Sequence, residues 1–280
     1  MMLPLVLLGR VLLSVGASTL QKQLTRRAVG SAALWRATYA WMTLPACLIL
    51  ALAFRPGLTR EFWWNAVAAG VLDALGNLAM VAALRRTDLS IFGPLNGFRP
   101  VLALLFGWLF LREAPTLLGA IGVVTTVFGT TLLLRDEESE TSGSAAWHSF
   151  ALRMAGLALS TFASVFLKRA TLAGGPELTL AVWILCGLPV FWLWSARQHE
   201  TASDQRHWLT LHAATFFIMQ WLTLHVFAVT LLAYSFAFFQ LGMVLQVIVG
   251  RWMFNEPHFR KRFACCAIIC VGAALLANAR

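Results

Sequence analysis

Ten apolar runs follow one another along the chain: roughly 3–22, 31–54, 62–84, 89–111, 115–134, 149–168, 177–196, 208–229, 233–254 and 261–279. Each approaches the ~20 residues that carry a helix across the hydrocarbon core of a bilayer. Connections as short as 230–232 can only turn the chain back, so neighbouring helices are predicted to run antiparallel. Trp63, Trp64, Trp147, Trp192, Trp194 and Trp208 stand near run ends, where an indole prefers the membrane interface. Trp41, Trp108 and Trp221 fall deeper and are predicted to face lipid. The clearly polar stretch RDEESETSGSAA, from Arg135, separates five runs from five and reads as a flexible linker. The organisation predicted is a first five-helix repeat over 1–134, a linker over 135–148 and a second repeat over 149–280.

The two halves share sequence landmarks. Residues 13–24 read LSVGASTLQKQL and residues 159–170 read LSTFASVFLKRA. Leu13/Leu159, Ser14/Ser160, Ala17/Ala163, Ser18/Ser164 and Lys22/Lys168 are identical pairs, 146 residues apart. The fourth run ends GWLFLREAP (107–115) and the ninth GRWMFNEP (250–257). Gly107 and Gly250 each precede a glutamate, Glu113 or Glu256, by six residues, and proline follows at Pro115 and Pro257. Glu113 and Glu256 are expected to act on the N-terminal dipole of the next helix. Because five is odd, the second half enters the membrane from the opposite side and the repeats are inverted. The predicted fold class is an all-α membrane protein of ten transmembrane helices in two inverted five-helix repeats. Duplicated helical halves are a common plan of secondary transporters.

Composition adds constraints. The chain is 59% hydrophobic and 12% charged, against about 25% charged in soluble domains, so most of it must be solvated by lipid. The net charge of +10 comes from short clusters between apolar runs, such as Arg85-Arg86 and Arg260-Lys261-Arg262. Such clusters set membrane orientation and do not indicate nucleic acid. Their distribution leans toward an N-terminus outside the cell. The five cysteines lie within apolar runs without CxxC spacing, which excludes a disulfide framework and gives no metal site. The first run is read as a helix rather than a cleaved signal, because its sequence recurs at 159–170.

Ionisable and amide groups inside the runs are the candidate functional residues. Asp73 lies mid-run in GVLDALGNLAM, with Asn77 one turn on along the same face. It can bind a cation, carry a coupling proton or pair with a buried base. Asn96 and Arg99 sit in FGPLNGFRP, where Gly93, Pro94, Gly97 and Pro100 favour a bent or unwound helix lining a cavity. The alternative for Arg99 is a helix start with the guanidinium snorkelling to the interface, and Arg10 and Arg36 admit the same reading. The second half offers Gln220, His225, Gln240 and Gln246. Lys22 and Lys168, duplicated at run ends, are gate or anchor candidates. No P-loop, HExxH or nucleophile–base arrangement is present, so no catalytic residue, metal or cofactor is expected and the chain is read as a non-enzyme.

With the five-plus-five repeat, the matched lysines and the paired Gly…Glu-Pro endings, the whole chain resembles the drug/metabolite transporter superfamily, and within it the EamA-like ten-helix transporters. The resemblance implies a cavity bounded by helices 1–4 and 6–9, with helices 5 and 10 peripheral. It also implies export or exchange of metabolites or drugs, often with both termini cytoplasmic. The function expected is secondary active transport of a small polar or amphipathic solute by alternating access, with a coupling proton at Asp73, in a bacterial plasma (inner) membrane. A lipid-linked sugar flippase of the same superfamily and an intramembrane enzyme are the competing readings. The partners expected are the lipid bilayer and the small-molecule substrate.

Overall fold

The computed structural model describes residues 3–27, 29–54, 56–84, 98–135, 144–196, 205–254 and 259–278. Regular structure among them is entirely helical. In chain order the helices are α1 (Leu3–Arg26), α2 (Ser31–Ala53), α3 (Arg60–Leu84), α4 (Arg99–Phe106), α5 (Leu117–Arg135), α6 (Ser144–Gly174), α7 (Pro176–Ala196), α8 (Arg206–Val229), α9 (Leu232–Phe239), α10 (Leu241–Phe254) and α11 (Phe259–Ala277). A π-helical stretch, Gly107–Leu111, extends α4. Among the described residues, six segments are long and apolar enough to cross a membrane: Leu3–Thr25, Ser31–Ala53, Ala151–Gly174, Pro176–Ala196, Arg206–Val229 and Leu232–Val249. Arg99–Leu111, Leu117–Leu132 and Phe263–Leu276 are shorter apolar helices. Trp41 and Trp108 are exposed, as expected for side chains facing lipid.

Two boundaries differ from the sequence expectation. The sixth helix begins at Ser144, inside the stretch assigned to the linker, and continues to Gly174. Lys168 therefore lies within the helix and is buried at 7% exposure. The run was cut at its basic pair because Lys and Arg usually mark an interface, but packing here takes the ammonium inward. The ninth run is interrupted at Gln240, where the amide N–H donates to Ala237 O (3.1 Å) and Gln240 O accepts from Met243 N–H (2.8 Å). No Pro lies at this break, and Gly242 falls within the turn that follows it. Helix α4 starts at Arg99 and α10 at Leu241, 142 residues later, so helices begin at matching places although Gly93-Pro94 has no counterpart.

The chain divides into two compact units, residues 1–78 with 163–229 and residues 79–162 with 230–280. They cut across the sequence repeats: each unit takes helices from both halves.

In the first unit α1 packs on α8, and α2 packs on α7 and α8. Proline interrupts the hydrogen-bond ladders of α2 and α7 at Pro45 and Pro189, 144 residues apart. This third matched landmark lies between the other two along the chain. Tyr39 of α2 is 1% exposed, with its ring 4.6 Å from Phe191 and 5.4 Å from Trp183 of α7. Trp35 stacks on Phe191 at 5.7 Å. Each such pair contributes about 0.5–1.5 kcal/mol beyond burial. Close packing matters especially here, because lipid supplies no hydrophobic drive between helices. Gly187 admits the Tyr39 ring, since a Cβ there would stand 2.5 Å from its Cε1. Hydroxyls are satisfied within the fold: Thr38 donates to Leu34 O at 2.9 Å and meets His212 Nδ1 at 3.1 Å. A second cluster joins Phe62 and Ala66 of α3 to Ala170, Leu178 and Val182.

In the second unit α5 packs along α11, and α4 packs on α9. The α5–α11 approach is set by glycine. A Cβ at Gly122 would come within 2.9 Å of Gly272 O, and one at Gly272 within 2.8 Å of Gly122 O and against the Thr126 hydroxyl. The Thr126 and Thr130 hydroxyls donate one turn back, to Gly122 O and Thr126 O, both at 2.8 Å. This satisfies polar groups where lipid cannot.

The spacing of Gly107 and Glu113 also has a physical cause. After the π-helical stretch Arg112 turns left-handed (φ 56°), and its N–H donates to Gly107 O. Glu113 N–H donates to the same carbonyl at 3.1 Å. The Glu113 carboxylate folds over Gly107, where a Cβ would sit 3.1 Å from Oε2. It then accepts from Leu232 N–H at 2.7 Å. Glu113 thus caps a helix N-terminus, as its chemistry predicts, but that of α9 rather than of the helix following it in sequence.

Candidate substrate and coupling sites

The predicted residues divide between the units. Asp73, Asn77, Gln220, His225, Lys22 and Lys168 belong to the first, and Arg99 and Gln240 to the second. Asn96 lies outside the described residues.

In the first unit Asp73 is half-buried near the middle of α3. The Asn77 amide reaches back one turn, donating to Asp73 O at 2.9 Å and to Oδ2 at 3.0 Å. This orients the carboxylate. Tyr39 lies within electrostatic reach of the same carboxylate. His225 joins a different group. Its Nε2 is 3.6 Å from Glu177 Oε1, its Nδ1 is 3.0 Å from Trp221 O, and the Trp221 indole donates to Glu177 Oε1 at 3.4 Å. Gln220 precedes His225 by five residues, so the two point ~140° apart around α8; one helix cannot aim both at a single point. Arg10 is half-buried, and its Nε donates to Thr223 Oγ1 on α8 at 3.3 Å. Lys22 is half-buried on α1.

In the second unit Arg99 heads α4, and its Nη2 donates to Ser160 Oγ on α6 at 3.0 Å. The guanidinium carbon also lies 5.8 Å from the centroid of the Phe236 ring on α9. Gln240 is buried at 7% exposure at the α9–α10 break. Arg153, at 5% exposure, lies within Coulombic reach of Arg99.

Arg153, Ser160 and Glu177 are not among the site candidates the sequence offers, although Ser160 marks the repeat. The rule that selected Asp73, an ionisable group inside a span, also selects Arg153. Nearness to the start of the run obscured it, because the run was taken to begin only at 149. Glu177 stood at a run end, where a carboxylate draws no attention until the fold brings His225 to it.

Residues 1–135 match the model of the EamA-like transporter family. That family is part of the drug/metabolite transporter superfamily. The match ends at Arg135, the last residue of α5. An uncharacterized protein of Methanocaldococcus jannaschii is 32% identical over 89 residues, 31% of this chain and 65% of the relative's length. A crystal structure of another protein superposes with a TM-score of 0.79 over 99% of this chain and 96% of its own, at 16% identity. That likeness is one of fold. Six described segments long and apolar enough to cross a membrane, with the likeness of residues 1–135 to a transporter family, mark a multi-pass membrane protein.

Proposed function

We propose that the chain is a secondary active transporter that exports or exchanges a small polar or amphipathic metabolite or drug. It works by alternating access in a bacterial plasma (inner) membrane, with Asp73 carrying the coupling proton. The observation behind this reading is a half-buried carboxylate at the middle of α3, held by Asn77 at 3.0 Å, in a chain whose residues 1–135 match a transporter family. A carboxylate at that depth is costly to retain, and reversible protonation is a use that justifies it. Gln220, His225 and Gln240 offer neutral hydrogen bonds to a polar solute, and Lys22 and Lys168 serve as gate or anchor.

The test is transport in liposomes containing the purified chain, with wild type and Asp73→Asn compared. Proton-driven accumulation should be lost in the variant, while exchange of solute for solute persists. Proton-driven accumulation at the wild-type rate in Asp73→Asn refutes the coupling role.

A further inference from the structure

In the first unit, where α2 begins and α7 finishes, an arginine and an indole stand side by side. Arg36 lies five residues into α2, about 7.5 Å along the axis from Ser31. Trp192 lies four residues before Ala196, the last of α7, about 6 Å from that end. The two helices pack together, and the Arg36 guanidinium carbon is 5.9 Å from the centroid of the Trp192 ring. Arg36 is half-buried. Trp192 is 56% exposed and Leu193 beside it 68%, so the pair stands on the lipid-facing side of the seam.

Among the described residues nothing answers this charge. Arg36 makes no hydrogen bond and no ion pair with them, and the Trp192 indole N–H meets no acceptor there. One turn away stand Ala32, Ala33, Tyr39 and Ala40 on α2, and Leu188, Pro189, Ser195 and Ala196 on α7. Only Tyr39 and Ser195 carry a polar group. Both are buried, and the Ser195 hydroxyl donates to Trp192 O at 3.0 Å. The described carboxylates of the unit, Glu61, Asp73 and Glu177, lie at the start of α3, in its middle and at the start of α7, away from this end. Arg27 makes an instructive contrast. It too lies by an indole, 4.8 Å from the centroid of Trp208, but its Nη1 donates to Gln205 Oε1 at 2.7 Å, and it is exposed.

A guanidinium inside an apolar span is costly unless an acceptor reaches it. Its long stem carries the charge toward the interface, where the anion present beside a lipid-facing surface is a phospholipid phosphate. The guanidinium fork matches two phosphate oxygens, and the indole N–H adds a third donor. The indole ring also suits headgroup depth, with its apolar body among the acyl chains. A zwitterionic lipid brings its own ammonium to the same phosphate, whereas an anionic lipid leaves the attraction undiminished. A soluble anion makes no use of the exposed ring.

We infer that Arg36 and Trp192 form a binding site for the phosphate of an anionic phospholipid, at the end of the seam between α2 and α7. The site goes beyond the transporter reading, because it requires only that the chain lie in a membrane.

The test titrates the full chain, purified in neutral detergent, with phosphatidylglycerol and with phosphatidylcholine of the same acyl chains. Bound lipids are counted by native mass spectrometry, and melting midpoints check that each variant folds. Wild type should prefer phosphatidylglycerol. The preference should fall about fivefold in Arg36→Gln, the effect of one cation lost at an anionic surface. It should fall about twofold in Trp192→Phe, which keeps an aromatic ring and loses the donor. Arg27→Gln should lower it less than Arg36→Gln, since Gln205 already serves Arg27. Should Arg36→Gln not fold, Arg36→Lys keeps the charge but loses the fork and should bind phosphatidylglycerol about threefold more weakly. The site is overturned by a wild type without preference, or by an unaltered preference in folded Arg36→Gln. Unaltered binding in both Arg36→Lys and Trp192→Phe overturns it too, as does an equal or larger loss in Arg27→Gln. Displacement of phosphatidylglycerol by inorganic phosphate would assign the arginine to a soluble anion and overturn the lipid.

Discussion

Glu113→Ala is the sharpest test of how the second unit is held together. The Glu113 carboxylate accepts from Leu232 N–H at 2.7 Å, a charge-assisted bond at the N-terminus of α9. Hydrogen bonds to charged groups contribute about 1.5–3 kcal/mol, and the helix dipole about 0.3–1 kcal/mol of overlapping benefit. Glu113 is half-buried, so solvent screens part of this, and a loss of about 2 kcal/mol is expected for Glu113→Ala. Glu113→Gln keeps an acceptor and loses the charge, for about half that cost. Gly107→Ala should act through the same bond, because its Cβ would stand 3.1 Å from Glu113 Oε2 and push the carboxylate off Leu232. The assay is thermal unfolding of the purified protein followed by tryptophan fluorescence. At roughly 2 °C per kcal/mol for a chain of this size, Glu113→Ala should melt about 4 °C lower. The double variant Gly107→Ala/Glu113→Ala should melt little lower than Glu113→Ala alone, since the two changes share one bond. A Glu113→Ala protein within 1 °C of wild type, or strict additivity in the double variant, refutes the capping role.

Three further outcomes are expected. Gly272→Leu should destabilise the protein by about 3 kcal/mol, the upper range of overpacking, because its Cβ meets backbone of α5 2.8 Å away; a wild-type melting midpoint would contradict the close α5–α11 approach. Tyr234→Phe removes the oxygen that accepts Thr116 N–H at 3.2 Å and should cost about 1 kcal/mol; an unchanged midpoint would show that the contact contributes nothing. Glu177→Gln breaks a half-exposed pair with His225 at 3.6 Å and should shift the midpoint by less than about 1 °C, since such pairs are worth little; a larger fall would mean that the pair acts in a drier setting.

Much of the helical layout was legible because a span of lipid sets a length of apolar residues, and runs of that length are hard to mistake. The matched Gly…Glu endings were legible as a pattern, but their cause was not. The partner of Glu113 is Leu232, 119 positions away, and no local rule connects them. The break at Gln240 carries no Pro, and the lone Gly242 beside it is a weak signal in an apolar run. Lys168 was read at a helix end because charge usually marks the interface, whereas the fold extends α6 to Gly174 and buries it. Asp73 was found because an acid inside an apolar run costs free energy wherever the run is placed. Its contact with Asn77 followed from one turn of helix, the only kind of contact a single sequence states directly. Arg99 and Ser160 are 61 residues apart, and their meeting depends on packing.

The mixing of both sequence halves within each compact unit bears on how the chain is made. Tyr39 and Trp35 are synthesised early, yet Trp183 and Phe191, which enclose them, emerge more than 140 residues later. Until then α2 stands in lipid with its aromatic face and the Tyr39 hydroxyl unenclosed. Glu113 likewise waits for Leu232. The helices of the first half are therefore made early, but their packing is completed only when the last helices arrive to close it.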